Sequence, residues 1–363
     1  NVIFEKILFM KLIWGFIFLF VFASCVNVAK QENAMHEFGS VAVEDIFTKE
    51  ISIRALKVNP SHIFYAGSNG KFGYLNTADH SVAFMGRIGE QNTSTEFRAI
   101  GSTDECDFIL SAGTPALLYK VNYFGKRKLV YREEGEKVFY DAMTFWNATD
   151  GIAIGDPTDE CMSVIITRDG GETWQKVSCD NLPKALKGEA AFAASNSNIS
   201  VVGEHAWFIS GGEKSRIYKS KNKGKTWKVY DLPITSGKST SGAYSVDFFD
   251  QNLGVIVGGD YTNPENNFNN KIVTTDGGET WSVVAKSKNP GYRSCVKFVP
   301  NTGGKEIIAV GYKGISYSSD YGKTWKKLSD ESFYTIAFIN EFVAYAAGKN
   351  RISKLTFMEN TGE

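Results

Sequence analysis

One eight-residue pattern, Ser/Thr-x-Asp/Asn-x-Gly-x-Thr-Trp, occurs four times in this chain and limits its possible folds more than any other feature. The copies lie at residues 167–174, 220–227, 274–281 and 318–325. In each copy the Asp or Asn side chain can accept backbone N–H bonds within a turn, the Gly can take a positive φ, and the Trp can pack between neighbouring sheets. The pattern therefore predicts a tight turn between two strands, repeated along the chain.

This pattern resembles the Asp-box, which is also called the BNR repeat. We interpret the residues that carry it as structural: Asp169, Trp174, Asn222, Trp227, Asp276, Trp281, Asp320 and Trp325. Because the chemistry of the motif is that of a turn, it indicates a fold and says almost nothing about an activity.

A second repeat covers the chain at a wider spacing. Short apolar runs end in glycine about every 47 residues, within the usual period of propeller blades, at Gly67, Gly113, Gly155, Gly211, Gly258, Gly311 and Gly348. Another apolar segment precedes each run, for example FYDAMTF before the third run and AAFAAS (190–195) before the fourth. With 13% aromatic residues and 35 glycines, this arrangement predicts an all-β chain, a seven-bladed β-propeller with four-stranded antiparallel blades.

The two ends of the repeat array predict how the ring closes. The last blade reaches SKLTF (353–357) without a fourth strand. We expect SVAVEDIFT (40–48) to supply that strand, so that both ends of the domain share one blade. The predicted propeller domain is 39–363.

The N-terminal residues have the pattern of a targeting segment. Met10-Lys11 precedes an apolar run at 12–24, as in a secretory signal peptide, and Phe22-Ala23-Ser24-Cys25 resembles the bacterial lipobox. An uncleaved membrane anchor is the alternative, although the run is shorter than the ~20 apolar residues of a spanning helix. We expect a signal peptide at 1–24 with Met10 as the true start, a lipidated Cys25, a polar tether at 25–38, and a place in the bacterial cell envelope facing the periplasm or the exterior.

That compartment would permit disulfides among the four remaining cysteines. Cys161 and Cys179 are symmetric about Gly170, so antiparallel pairing would place them opposite each other, and we predict a bridge between them. Cys106 and Cys295 lie in distant repeats and are expected to be free. None of the cysteine spacings is typical of a zinc site.

Charge and histidine content weigh against several other functional classes. The chain has 40 basic and 40 acidic side chains and no net charge, whereas nucleic-acid binders usually carry a basic excess. Its four histidines fall in separate repeats and form no catalytic group with a serine or cysteine. No glycine-rich dinucleotide motif lies between a strand and a helix. We therefore predict no cofactor, no bound metal and no nucleic-acid partner.

Propeller geometry places the starts of the inner strands and the loops after the seven glycines around one mouth of the central channel, a concave surface suited to ligands. On this basis Arg54, Arg98 and Arg293 form a basic arc. The rest of the mouth collects acids and tyrosines: Asp141, Asp156, Glu189, Asp260, Tyr140, Tyr244 and Tyr261. Such a surface could dock a charged segment. Alternatively, these charges only pair across the channel and join blades.

The repeat FYDAMTFWNATDGIAIGD, followed by TRDGGETW, resembles the photosystem II stability/assembly factor family. The segments GEAAFAASNS, GVIVGGDY and GYRSCVKFVP are similar to a bacterial, non-photosynthetic branch of that family, whose members are often labelled oxidoreductases. Nothing in these residues supports redox chemistry. The resemblance covers the whole mature chain and implies a non-catalytic propeller that binds a membrane-protein partner through an arginine-bearing face, here Arg54, Arg98 and Arg293.

Two functions follow from these residues. The favoured one is a monomeric, non-catalytic binding or assembly module that docks an envelope protein or glycan at the mouth and touches the membrane only through its N-terminal lipid. The alternative is a sialidase-like glycoside hydrolase, since sialidases also carry Asp-boxes, clamping arginines, a Tyr–Glu pair (here Tyr140 or Tyr244 with Glu189) and an acid such as Asp156. Because Arg54 is followed by Ala55-Leu56 rather than the Ile-Pro of sialidases, binding is preferred.

Overall fold

Apolar segments and turn residues alternate along the chain and fold into consecutive antiparallel hairpins. The structure is a computed structural model that describes residues 36–89 and 95–360. These residues form strands β1 to β29 and two short 3-10 helices, Ser68–Gly70 and Cys179–Asn181. Neither helix is long and apolar enough to cross a membrane, and no other helix is present in the described ranges.

The strands form seven four-stranded antiparallel blades, which confirms the predicted seven-bladed propeller. The first three blades run outward from the channel as follows: the second half of β1 (Phe38–Val58), β2 (His62–Gly67), β3 (Lys71–Asn76) and β4 (Val82–Arg87); then β5 (Glu96–Ser102), β6 (Asp107–Ala112), β7 (Ala116–Val121) and β8 (Arg127–Glu133); then β9 (Tyr140–Phe145), β10 (Gly151–Gly155), β11 (Ser163–Thr167) and β12 (Gln175–Lys176).

The remaining blades follow the same order. Blade four has β14 (Ile199–Val202), β15 (His205–Ile209), β17 (Arg216–Ser220) and β18 (Lys228–Asp231); blade five has β19 (Ser241–Phe248), β20 (Gly254–Asp260), β21 (Lys271–Thr274) and β22 (Ser282–Val283). Blade six has β23 (Cys295–Phe298), β24 (Ile307–Gly311), β25 (Gly314–Ser318) and β26 (Lys326–Ser329); blade seven has β27 (Thr335–Phe338), β28 (Val343–Ala347), β29 (Lys349–Glu359) and the first half of β1. Two short strands, β13 (Glu189–Ala190) and β16 (Gly211–Gly212), pair with each other, and β16 also pairs with β19.

The ring closes through β1, as predicted from the two ends of the repeat array. Its first half pairs with β29, from Phe38 opposite Glu359 to Thr48 opposite Arg351, and its second half pairs with β2. The last and first blades are therefore hydrogen-bonded into one seven-stranded sheet. His36 and Phe38, which the sequence assigns to the tether, are buried against the propeller. The predicted signal peptide, Cys25 and the tether up to residue 35 lie outside the described residues.

The Asp-box turns have the geometry that their residue types require. In the third box Asp276 accepts hydrogen bonds from the Thr280 amide at 3.0 Å and from the Glu279 amide at 2.9 Å. Gly278 has φ +87°, a value that favours glycine, and its amide donates to Thr274 Oγ1 at 2.9 Å. The Trp281 indole donates to the Gly278 carbonyl at 3.2 Å, so the turn and the tryptophan form one unit that packs against Phe248.

Cysteines occupy two kinds of position. Cys161 and Cys179, the pair symmetric about Gly170, are joined by a disulfide. Cys106 and Cys295 are free thiols, and Cys295 is buried in the core between the last two blades. The disulfide joins the loop between β10 and β11 to the connection that follows β12 and leads to blade four.

Blade four differs from the prediction in its innermost strand. The repeat pattern predicts AAFAAS (190–195) at that position, but the inner strand is β14, whose Ile199–Val202 pairs with β15 around a turn at Gly203. The reason is that Ile199, Val201 and Val202 are β-branched and fit a pleated ladder, whereas the preceding serines and asparagines seek polar partners. Phe192 is therefore not the start of an inner strand, and residues 191–198 are left to cross the channel.

Candidate functional site

The segment 191–198, named here the plug, spans the central channel and forms hydrogen bonds with all six of the other blades. Ser195 Oγ donates to the Ser294 carbonyl at 2.6 Å in blade six, and the Ser195 carbonyl accepts from Thr335 Oγ1 at 3.1 Å in blade seven. Asn196 Oδ1 accepts from the Met143 amide at 2.9 Å and the Ile100 amide at 3.3 Å, in blades three and two.

The remaining contacts of the plug complete the circle. The Ser197 hydroxyl lies 2.6 Å from that of Ser245 in blade five, and Arg54 of blade one donates to the Ala194 carbonyl at 3.3 Å. A segment that meets six blades through four consecutive residues, 194–197, must lie across the propeller axis. The plug therefore divides the channel and forms a floor beneath one mouth.

A cavity of about 580 Å³ lies on this floor. Its aromatic wall begins at Phe192, which stacks on Tyr244 with ring centroids 4.3 Å apart, and continues through Tyr292, whose ring meets that of Tyr244 edge-on at 4.8 Å. Tyr261, Tyr312 and Tyr334 extend the wall to the rim, where Tyr261 is about half exposed. Aromatic rings arranged in this way offer a large apolar surface with little side-chain entropy to lose on binding.

Two of the predicted arginines line the cavity. The Arg54 guanidinium lies 4.1 Å from the centroid of the Tyr334 ring, a cation–π arrangement. Burial, together with the charge of Arg54, lowers the pKa of Arg98, whose Nε has no hydrogen-bond partner in the described part of the chain. Neither arginine lies within 4.0 Å of a carboxylate of the described residues, so both guanidinium groups face the cavity without a paired anion.

Two acids lie on the side of the cavity formed by blade three. Asp141 is completely buried, and neither of its oxygens makes a hydrogen bond of good geometry with a described residue. Burial and the nearby Asp156 raise the pKa of Asp141 well above its usual value, while Arg98 opposes this shift. Burial also raises the pKa of Asp156 to about 6, although Asp156 accepts a hydrogen bond from the Ala191 amide of the plug at 2.7 Å.

The other predicted residues are placed elsewhere. Tyr140 is buried between blades two and three and donates to Glu133 at 2.7 Å, and Arg293 lines a separate cavity beside blade six. Successive residues of a strand point to opposite faces, so in β9 Asp141 faces the mouth while its neighbour Tyr140 cannot. The predicted arc of three arginines thus contains two at the mouth.

Glu189 and Asp260 are likewise engaged away from the cavity floor. Glu189 is buried, pairs with Arg216, and accepts from Tyr218 at 2.9 Å. Asp260 accepts from the Thr262 amide at 2.9 Å and so orders the turn that presents Tyr261. Its carboxylate lies 3.5 Å from the Lys238 ammonium.

Tyr312 belongs to the cavity but was not assigned to the site from the sequence. Tyr312 directly follows Gly311, as Asp156 follows Gly155, so the position after the blade glycine was a usable signal for Tyr312. The plug gave no such signal, because a short serine- and alanine-rich segment resembles a weak strand as much as a loop. No cluster of three or more His, Cys, Asp or Glu side chains in the described ranges could hold a metal ion.

Sequence comparison identifies the repeats. The BNR/Asp-box repeat family matches residues 165–176 and 272–283, which contain the first and third boxes. The chain is therefore an Asp-box β-propeller. A comparison with curated proteins gave no significant match.

Solved structures share the fold over about nine-tenths of the chain. One is YCF48 bound to a D1 peptide, with a TM-score of 0.62 and 10% identity over 90% of this chain and 100% of that chain. YCF48 from Cyanidioschyzon merolae gives a TM-score of 0.59 and 13% identity over 88% and 98%. The WD40 repeats of RRP9 give 0.57 and 10% over 90% and 99%. At these identities the likeness defines the propeller fold and nothing finer.

Proposed function

We propose that this protein is a non-catalytic binding module whose mouth docks a carboxylate-bearing segment of a protein partner. The segment would lie against the aromatic wall of Tyr244, Tyr292 and Tyr334 and present its carboxylate to Arg54 and Arg98. Apolar area and a charge-assisted contact would act together, which is the usual composition of a peptide site.

The observation that carries the proposal is the pair of unpaired guanidinium groups in a walled cavity. Buried or half-buried arginines are normally paired with a carboxylate, because leaving a desolvated charge uncompensated costs free energy. The nearby Asp141 does not compensate Arg98 fully, since burial raises the pKa of Asp141 well above its usual value. An acidic group from a ligand would supply the missing counter-charge.

Fold similarity supports a protein ligand. YCF48, which has the same fold, has been solved with a D1 peptide bound, so a propeller of this fold can accept a peptide. A glycan is the alternative ligand that the experiment must distinguish from a peptide, because tyrosine-rich walls also pack against sugar rings.

The arrangement does not favour the sialidase-like alternative. That mechanism needs Glu189 beside Tyr140 or Tyr244 and open to a substrate, but the hydrogen bonds of Glu189 within the described chain go to Leu186, Ser210, Arg216 and Tyr218. Tyr218, its tyrosine partner, is completely buried. A Tyr–Glu pair held by an arginine inside a blade is a structural ion-pair cluster.

We further propose that the module is held at the cell envelope by lipid at Cys25 and acts as a monomer. The support is the signal-peptide and lipobox pattern of residues 10–25. Incorporation of labelled palmitate by the full chain, abolished in Cys25→Ser, would test the anchor, and light scattering of the solubilised protein would test the monomer.

The binding proposal is tested by selecting ligands from a random peptide library with the full chain in detergent. We expect the selected peptides to be enriched in Asp, Glu or a free C-terminal carboxylate, and to contain apolar or aromatic residues beside it. Arg54→Gln combined with Arg98→Gln should remove the acidic enrichment.

The matched control is Arg132→Gln, which removes an exposed arginine that pairs with Glu134 on the outer edge of blade two. This variant should select the same peptides as the wild type. Selection of peptides without acidic enrichment, or binding of a glycan panel in place of peptides, would overturn the proposal.

A further inference from the structure

A second cavity, of about 230 Å³, lies beside the mouth against blade six. Its walls come from the loop at Pro264, the connection that contains Pro290 and Gly291, and the strands β25 and β26. Tyr312 lines both cavities and so forms a common wall between them.

Arg293 forms the base of this cavity and lacks an anionic partner. Its side chain is buried, with only 4% of the residue exposed, and lies within 4.0 Å of no carboxylate of the described residues. Its two terminal nitrogens donate to neutral oxygens, the Tyr292 carbonyl at 2.8 Å and Ser316 Oγ at 2.9 Å. Its Nε is buried without any hydrogen-bond partner in the described chain.

The charges around Arg293 leave an excess of positive charge at this cavity. Lys313 pairs with Glu265 at 3.0 Å and Lys327 pairs with Asp330, which uses both carboxylates that line the cavity. Lys326 and Arg293 remain without a carboxylate among the described residues.

A buried lysine increases this excess. Lys271 is 1% exposed, and its ammonium donates to the carbonyls of Pro290 at 2.8 Å and Lys288 at 2.9 Å. Burial, together with the charge of Arg293, lowers the pKa of Lys271 to about 7. A lysine and an arginine that are both buried and held only by neutral oxygens are an unusual arrangement, because buried basic groups are normally paired with a carboxylate.

We propose that this cavity is a binding site for an oxyanion, either a phosphate or a carboxylate, held by the guanidinium group of Arg293 and by the lysines of its rim. The group must be small, given the volume, and must accept hydrogen bonds from a guanidinium edge. The site is separate from the mouth and does not depend on the function proposed for it.

The test is a titration of the full chain with inorganic phosphate and, separately, with acetate, followed by calorimetry and by the ¹⁵N resonance of Arg293 Nε. That resonance is assigned by its loss in Arg293→Gln. We expect saturable binding of at least one probe at constant ionic strength, with a shift of the Arg293 Nε–H signal. Binding of phosphate alone would identify a phosphate site, and binding of acetate would identify a carboxylate site.

Three variants make the test specific. Arg293→Gln should weaken binding by about tenfold or more, since it removes a charge-assisted bond, while Arg54→Gln at the mouth should bind as the wild type does. Glu265→Gln should strengthen binding roughly twofold, because it removes a competing negative charge at the rim. If Arg293→Gln fails to fold, Glu265→Gln alone decides, and equal affinity of Glu265→Gln and the wild type then overturns the proposal. No saturable binding of either probe by the wild type, or binding that these substitutions leave unchanged, would overturn the proposal.

Discussion

At the scale of single residues, the mouth is defined by charges that lack their usual partners. Asp141 is completely buried with no hydrogen bond of good geometry in the described chain, and Arg98 Nε is buried without one. Such groups lower the stability of an empty site, because desolvation is not repaid. Their presence at one cavity, beside a wall of tyrosines, is typical of a site that gains its missing contacts from a ligand.

Asp156→Asn should therefore stabilise the protein at neutral and alkaline pH. The pKa of Asp156 is raised to about 6 by burial, so between about pH 4 and 6 the folded state keeps a proton that the unfolded chain has lost. The free energy of unfolding must then fall as pH rises through this window and stay low above it. We expect the free energy of unfolding of the variant to exceed that of the wild type by on the order of 1–3 kcal/mol more at pH 8 than at pH 4.

Urea denaturation of wild type and variant at several pH values measures this gain. The exposed Asp159→Asn is the control and should leave the pH profile unchanged. If the free energies of unfolding of wild type and Asp156→Asn follow parallel pH profiles, the burial of the Asp156 carboxylate does not destabilise the folded protein.

At the scale of elements, the plug converts a channel into a floored cavity. Residues 191–198 have no ladder of their own and are held by side-chain bonds to inner strands of the other blades. Asn196 is central to this arrangement, since its side chain accepts from the Ile100 and Met143 amides and donates to the Ile100 carbonyl at 2.9 Å. Its φ of +57° is a conformation that asparagine tolerates better than most residues.

Asn196→Ala should lower the free energy of unfolding by about 2–4 kcal/mol, since it leaves two backbone amides unpaired and places alanine at a positive φ. Asn198 gives a matched control two residues away, because its buried amide group has no hydrogen-bond partner in the described chain. Asn198→Ala should cost much less. Equal losses for the two variants in urea denaturation would contradict the role of Asn196.

The Asp-box turn gives a second prediction at this scale. Asp276→Ala should destabilise by about 1–2 kcal/mol, because the Thr280 and Glu279 amides lose their acceptor. Asp276→Asn should retain most of the stability, since Asn222 performs the same role in the second box, accepting from the Thr226 amide at 3.0 Å. Thermal unfolding would measure both, and equal losses would show that the carboxylate charge matters more than the acceptor.

At the scale of the whole molecule, the propeller depends on the strand that joins its ends. The first half of β1 covers the edge of β29, and the second half is the inner strand of blade one. One continuous strand of 21 residues therefore connects the last blade to the first. Without it, β29 would present an open edge of unpaired backbone groups.

Removal of residues 1–48 should lower the free energy of unfolding by several kcal/mol, because a whole strand of burial and pairing is lost. It should also promote self-association through the exposed edge of β29. Size-exclusion chromatography and urea denaturation measure the two effects. Removal of residues 1–35 is the control and should leave both unchanged, whereas a stable monomer lacking 1–48 would contradict the role of β1.

Most of the fold could be predicted from the sequence, because turn residues and blade glycines act locally and recur. The box residues fix the outer turns, the glycines mark the ends of the second strands, and SVAVEDIFT has no other place to pair. The inner strand of blade four was assigned wrongly because the choice between AAFAAS and ISVV depends on whether serines and asparagines find partners in six distant blades. Such partners are not visible in local sequence.

The candidate site was predicted in part for the same reason. Arg54, Arg98, Asp141, Asp156, Tyr244 and Tyr261 line the mouth, as residues at the ends of inner strands and their loops should. Tyr140 does not, because a shift of one residue along a strand turns a side chain to the other face, and the bulge at Ile154 and Gly155 alters that register. Arg293 precedes β23 and lines the second cavity instead.

The central claim is that the guanidinium groups of the mouth bind a ligand carboxylate, and a double-mutant cycle tests it most directly. One acidic peptide from the library and its Glu→Gln or Asp→Asn counterpart are titrated calorimetrically against wild type and Arg98→Gln at pH 7. The account predicts a coupling free energy of about 1 kcal/mol or more between arginine and carboxylate. Effects that are simply additive would show that the acidic group does not meet Arg98 and would contradict the proposed docking mode.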